Sequence, residues 1–134
     1  MKKRVLVVMD FESLNIFVNK IIENKLLFHA ITANNCDDAY LKIKEAIHKK
    51  IPYYLLISDL NFDSEHLEIK LKSGEELIAI TRKIQPEIKI IVFSGDVKHF
   101  RKKSLFKNHN IEAFITKGGN SGINLEKSIR AITF

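Results

Sequence analysis

Residues 53–63 read YYLLISDLNFD, six apolar or weakly polar residues running straight into Asp59. A carboxylate at the end of a buried strand costs desolvation free energy unless a nearby group uses its charge. The rest of the chain has to supply that group.

Outward from this stretch the apolar pattern changes period repeatedly. RVLVVM (4–9) is a valine-rich run of strand length, FHAITA (28–33) a weaker one, and IKIIVFS (88–94) and IEAFIT (111–116) complete the set around YYLLIS (53–58), which follows Pro52. Between them the spacing is helical: Leu14, Phe17, Val18, Ile21 and Ile22 over 13–25, then Tyr40, Ile43 and Ile47 behind the polar cap NNCDD. Ser73 and Glu76 form a capping box ahead of LIAITRKI, a basic helix follows the fourth strand, and Ile123, Leu125, Ile129 and Ile132 mark a last helix near 122–132. Five strands apolar on both faces, alternating with five helices, predict an α/β doubly wound parallel sheet covered on each side. NFDSEHLEIKLKSG (61–74) is long for a βα loop and is the one candidate insertion. Its Asp63, Glu65 and Glu68 read as solvated charges.

Composition narrows the class. At 134 residues the chain reads as one domain, 1–134, with 46% apolar and 28% charged residues, ordinary values for a soluble globular protein. No apolar run reaches the ~18 residues of a membrane-spanning helix, and MKKRVLVVMDF lacks the long uncharged stretch of a signal peptide. The lone Cys36 excludes an internal disulfide and fits a reducing compartment, so a cytoplasmic location without membrane contact is expected. The net charge of +6 concentrates in VKHFRKKSLFKNH, where Lys98, Arg101, Lys102, Lys103 and Lys107 read as a solvated partner surface. Neither zinc-finger spacing nor a stacking-aromatic pattern accompanies it, so direct nucleic-acid binding is not expected. The five histidines (29, 48, 66, 99, 109) show no metal-ligand spacing.

In an open parallel sheet, ligands bind beyond the carboxyl ends of the strands where strand order reverses. The strand ends carry Asp10, Asp59, Ser94 and Lys117. Two carboxylates repel, and a hard cation such as Mg²⁺ relieves the repulsion. Lysine and a metal together offset charge on a transferring phosphoryl group, and a carboxylate can itself be the nucleophile. Metal and phosphate are thus what would use the charge of Asp59.

The segments VVMD, LLISDL, IIVFSG and AFITKG, in this order, resemble the response-regulator receiver domain over essentially the whole chain. The resemblance implies a flavodoxin-like (βα)5 sheet of order 2-1-3-4-5. It makes Asp59 the phosphoacceptor, Asp10, Asp59 and the Asn61 backbone carbonyl the Mg²⁺ ligands, Ser94 the switch hydroxyl, Lys117 the phosphate-binding lysine and Phe114 the switch aromatic. A sensor histidine kinase or phosphotransfer protein would be the donor. Helix 4, strand 5 and helix 5 would form the output or dimerisation surface. Such a domain is not an enzyme, although it assists its own phosphorylation and dephosphorylation. DLNFD, LKSGEELI and KGGN are similar to Bacteroidetes regulators with an extended β3–α3 loop, which join a C-terminal DNA-binding domain absent from this chain. A stand-alone receiver and an N-terminal domain ending at Phe134 would look alike.

Three departures stand out. Met9 replaces the first of the usual two adjacent acids, Gly118 replaces the usual proline after the lysine, and the β3–α3 loop is long. Met9 predicts weaker Mg²⁺ binding. The alternative is a phosphate-independent pseudo-receiver that acts as a protein-interaction module. An aspartate-nucleophile hydrolase would need a second acid where Asn61 stands, and a flavodoxin-type carrier would need a phosphate-cradling loop after strand 1.

Overall fold

The computed structural model describes residues 3–62, 71, 73–95 and 97–133. Five parallel strands, β1 (Arg4–Val8), β2 (His29–Ala33), β3 (Leu55–Ser58), β4 (Lys89–Ser94) and β5 (Ala113–Thr116), form one sheet in the order β2-β1-β3-β4-β5. Helices α1 (Glu12–Lys20), α2 (Cys36–His48), α3 (Gly74–Ile84) and α4 (His99–His109) lie in the crossovers, and α5 (Ser121–Thr133) follows β5. The doubly wound parallel sheet is the one the alternating pattern predicts, and its order is the flavodoxin-like one the resemblance implied. The strands are shorter than their apolar runs at several ends; β3 begins at Leu55 and β5 at Ala113.

Alternation along each strand divides the core in two. Leu6, Val8, Leu56, Ile90 and Val92 pack with Ala39, Ile43, Leu77, Ile78 and Leu105 of α2, α3 and α4. Their neighbours in sequence, Val5, Val7, Leu55, Ile57, Ile91 and Phe93, pack with Val18, Leu125 and Ile129 of α1 and α5. Each buried aliphatic side chain contributes about 1.5–3 kcal/mol, which is why both faces of the central strands had to be apolar.

Two local readings need correction. The segment 13–25 is not one α-helix: α1 ends at Lys20 and a π-helical turn spans Ile21–Lys25. Its wider turn, with Leu26 N–H bonded to the Ile21 carbonyl at 3.2 Å, brings Ile21, Ile22 and Leu26 all into the core. The buried stripe of α2 is Cys36, Ala39, Ile43 and Ala46, with Tyr40 and Ile47 at its margin. Asn35 does cap that helix, accepting from the Asp38 amide at 2.8 Å.

The insertion expected over 61–74 lies, at 63–70 and 72, outside the described residues, and Asp63, Glu65, His66 and Glu68 fall there. Its two ends are described. Asn61 and Ser73 form an antiparallel bridge, and the Gly74 amide donates to the Leu60 carbonyl at 2.8 Å.

Candidate functional site

The strand register assembles the site. Ser58 lies level with Val8 and Val92, and Ser94 level with Thr116, so the residues following these pairs meet at one edge. The ladder runs one bond further on each side of β3 and β4: the Asp59 amide donates to the Val8 carbonyl at 3.0 Å, and the Lys117 amide to the Ser94 carbonyl at 2.8 Å.

Asp59 is 2% exposed, yet its carboxylate is well supplied with donors. Oδ1 accepts from Ser94 Oγ at 2.9 Å, the Leu60 amide at 2.7 Å and the Asn61 amide at 3.3 Å. Oδ2 accepts from Lys117 Nζ at 2.5 Å. A buried carboxylate survives only with such partners. Three of the predicted residues, Asp59, Ser94 and Lys117, are thus in direct contact.

Asp10 lies two residues beyond β1, at the same edge, where it lines a cleft against α1 and β2. Asn61 follows Asp59 by two residues and pairs with Ser73. Met9, at the place of the absent acid, is 1% exposed and packs with the α1–α5 side of the core. Phe114 is half-buried, level with Val92, on the same face as Ser94; Lys102 Nζ stands 4.9 Å from its ring centroid. All peptide bonds among the described residues are trans, including that before Gly118.

Gly74 is a residue the sequence reading passed over. A Cβ there would stand 1.9 Å from the Asp59 carbonyl oxygen and 2.8 Å from Leu60 Cα. Helix α3 therefore starts directly against the backbone of the aspartate, an approach only glycine permits. The signal was present as a glycine at the first position of a capped helix, where a better helix former is usual. Cys36 joins from the other side, its Sγ donating to the Ser73 carbonyl at 3.5 Å. Burial pushes the Cys36 thiol up to about 12, with Asp37, Glu76, Asp10 and Asp59 adding in the same direction, so it stays a neutral thiol.

The donor set suits a hard cation. Asp10, Asp59 and the Asn61 carbonyl supply only oxygen, the ligand type Mg²⁺ takes. Two carboxylates are few, and among the described residues no three His, Cys, Asp or Glu side chains cluster closely enough to hold a metal. An ion bound here would keep much of its water.

No protein-family model matches the sequence, and no curated protein matches it. Solved structures match its fold throughout. RcsB of Salmonella enterica serovar Typhimurium, bound to promoter rprA with phosphomimetic BeF3⁻, is 18% identical with a TM-score of 0.80, covering 99% of this chain and 100% of that one. The chemotaxis protein CheY4 of Vibrio cholerae is 19% identical with a TM-score of 0.76, over 98% and 99% of the two chains. Response regulator TrrA of Thermotoga maritima, in complex with Mg²⁺–BeF, is 22% identical with a TM-score of 0.73, over 97% and 98%. This chain thus has the receiver fold of response regulators over its whole length.

Proposed function

We propose that this chain is a two-component receiver that takes a phosphoryl group on Asp59 from a partner histidine kinase or phosphotransfer protein. The observation that carries the reading is the buried Asp59 carboxylate held between Ser94 Oγ and Lys117 Nζ at the carboxyl edge of β3. A structural ion pair needs only the lysine; the added hydroxyl and strand-end position fit a phosphate better.

Among the described residues Oδ1 is occupied by three donors while Oδ2 faces Lys117 alone, so Oδ2 is the oxygen with a lone pair to offer. Attack by Oδ2 forms an O–P bond as the donor's bond to phosphorus breaks and its leaving group departs with the electron pair. Lys117 Nζ then moves from carboxylate to phosphoryl oxygen, and Ser94 Oγ turns its hydrogen to another. Mg²⁺, held by Asp10, Asp59 and the Asn61 carbonyl, would offset phosphoryl charge. The displaced Ser94 hydroxyl leaves space on the face that Phe114 shares, which couples the site to α4, β5 and α5 as an output surface. The basic face of α4 then serves a protein partner rather than DNA, and the domain works in the cytoplasm. A C-terminal output domain is consistent with this arrangement.

A pseudo-receiver is the second reading, favoured by Met9, whose burial in the core leaves the acidic pocket one carboxylate short. A small phosphodonor separates the two. A Mg²⁺-dependent phosphate-mass adduct, abolished by Asp59→Asn and slowed by Asp10→Asn, is expected. A protein that binds no Mg²⁺ at millimolar concentration and never gains the adduct is the interaction module.

A further inference from the structure

The two ends of α4 are held by different means. At the carboxyl end Arg82 of α3 bonds backbone on both sides of the junction. Its Nε donates to the His109 carbonyl at 3.0 Å and its Nη2 to the Asn110 carbonyl at 3.3 Å, while Nη1 donates to the Pro86 and Ile88 carbonyls at 2.7 and 2.6 Å. Just beyond, Ile111 is buried, and the Glu112 amide donates to the Ile90 carbonyl at 2.7 Å. One guanidinium thus fixes the exit of α4 to α3 and to the entry of β4.

The amino end is held by side chains that reach solvent. Lys98 gives the helix no side-chain cap, and no acid lies in the first turn. Arg101 Nε donates to Glu75 Oε1, the two side chains being 32% and 39% exposed. Lys102 Nζ lies over the Phe114 ring, 4.9 Å from its centroid. Exposed ion pairs and cation–π contacts are individually weak, so this end opens at lower cost than the other. It is also the end that follows the phosphoacceptor edge: α4 begins at His99, close behind Ser94 in the chain. Glu75 follows Gly74, where a Cβ would stand 1.9 Å from the Asp59 carbonyl oxygen. Glu75 therefore keeps its place relative to Asp59, while Arg101 travels with α4.

We propose that the Arg101–Glu75 pair is a latch. Closed, it holds the amino end of α4 against α3. Open, it lets the helix pivot about the carboxyl end that Arg82 fixes, carrying Lys102 away from the Phe114 ring. A Ser94 hydroxyl drawn to phosphate acts on the loose end, and the strength of the pair sets how much of the resting protein is already open. As a control of output the latch rests on the receiver reading; the unequal hold on α4 does not.

Amide hydrogen exchange of the full, unphosphorylated chain tests the latch. Glu75→Gln and Arg101→Gln should each speed exchange of the Lys103 and Ser104 amides roughly threefold, the loss of one exposed ion pair. The Asn110 amide, bonded to the Phe106 carbonyl at 3.1 Å, should not change. Glu75→Gln added to Arg101→Gln should bring no further increase, which separates the pair from any effect of Glu75 on the start of α3. Salt at about 1 M should reproduce the increase in the parent but not in either variant. Unchanged exchange in either variant, an equal rise at both ends of α4, or a full Glu75→Gln effect in the Arg101→Gln background would each overturn the latch. The phosphate adduct on Asp59 is read separately by mass. Faster exchange in a protein that takes no phosphate keeps the latch and sinks the receiver reading, and an adduct with unmoved exchange does the reverse.

Discussion

Helices α3 and α4 pack side by side on the same face of the sheet, but they are attached to it in opposite ways. Helix α3 begins with Ser73, whose hydroxyl accepts from the Glu76 amide at 3.2 Å, places Glu75 and Glu76 in its first turn, and buries Gly74, Leu77, Ile78 and Thr81. Helix α4 begins with Lys98, which makes no side-chain cap bond, has no acid in its first turn, and buries Leu105 alone. Phe100 on α4 is 70% exposed. What α4 lacks in apolar burial it partly recovers through polar ties to α3: Arg101 pairs with Glu75, and Arg82 donates from Nε to the His109 carbonyl at 3.0 Å and from Nη2 to the Asn110 carbonyl at 3.3 Å. One helix is built into the core, and the other is strapped to its neighbour. Segments with few buried contacts open at low free-energy cost, and switching elements are drawn from them.

The sharpest way to break the contrast is Gly74→Ala. The added Cβ would collide with the backbone of Asp59 and Leu60, so a loss of about 3 kcal/mol or more is expected by urea denaturation. Gly118→Ala, with open space around the same atom, serves as a nearly neutral control. Leu105→Ala comes next at about 2–3 kcal/mol, and it should cost α4 amide-exchange protection before the sheet loses any. Arg82→Met should cost about 1–2 kcal/mol by cutting the strap at the carboxyl end of α4, with faster exchange there while α3 stays protected. Phe100→Ser should change stability by less than about 0.5 kcal/mol. If Phe100→Ser proves as damaging as Leu105→Ala, the aromatic is packed in solution and the contrast between the helices is wrong.

The sheet was legible because its strands are continuous apolar runs with a polar residue at each carboxyl end. That same placement made Asp59, Ser94 and Lys117 recognisable together, since register in a parallel sheet carries equivalent ends to one edge. The π-helical turn was not legible: IIENK keeps apolar residues where an α-helix also wants them, and only the i to i+5 bond distinguishes the two. Gly74 was missed because its importance lies in how closely another segment approaches, and a glycine in a cap does not announce a distance. Phe100 lies in the basic segment read as a solvated face, and its exposure follows from α4 burying only Leu105.

The neck formed by the Asn61–Ser73 bridge and the Gly74–Leu60 hydrogen bond has an evolutionary consequence. It fixes the aspartate's loop and the start of α3 independently of how many residues run between them. Chain statistics charge only about 0.6 kcal/mol for each doubling of a closed loop. Insertions or deletions between 62 and 72 therefore become nearly neutral raw material: related proteins can diverge there in length and in partner preference while the carboxylate edge of the sheet inherits an unchanged frame.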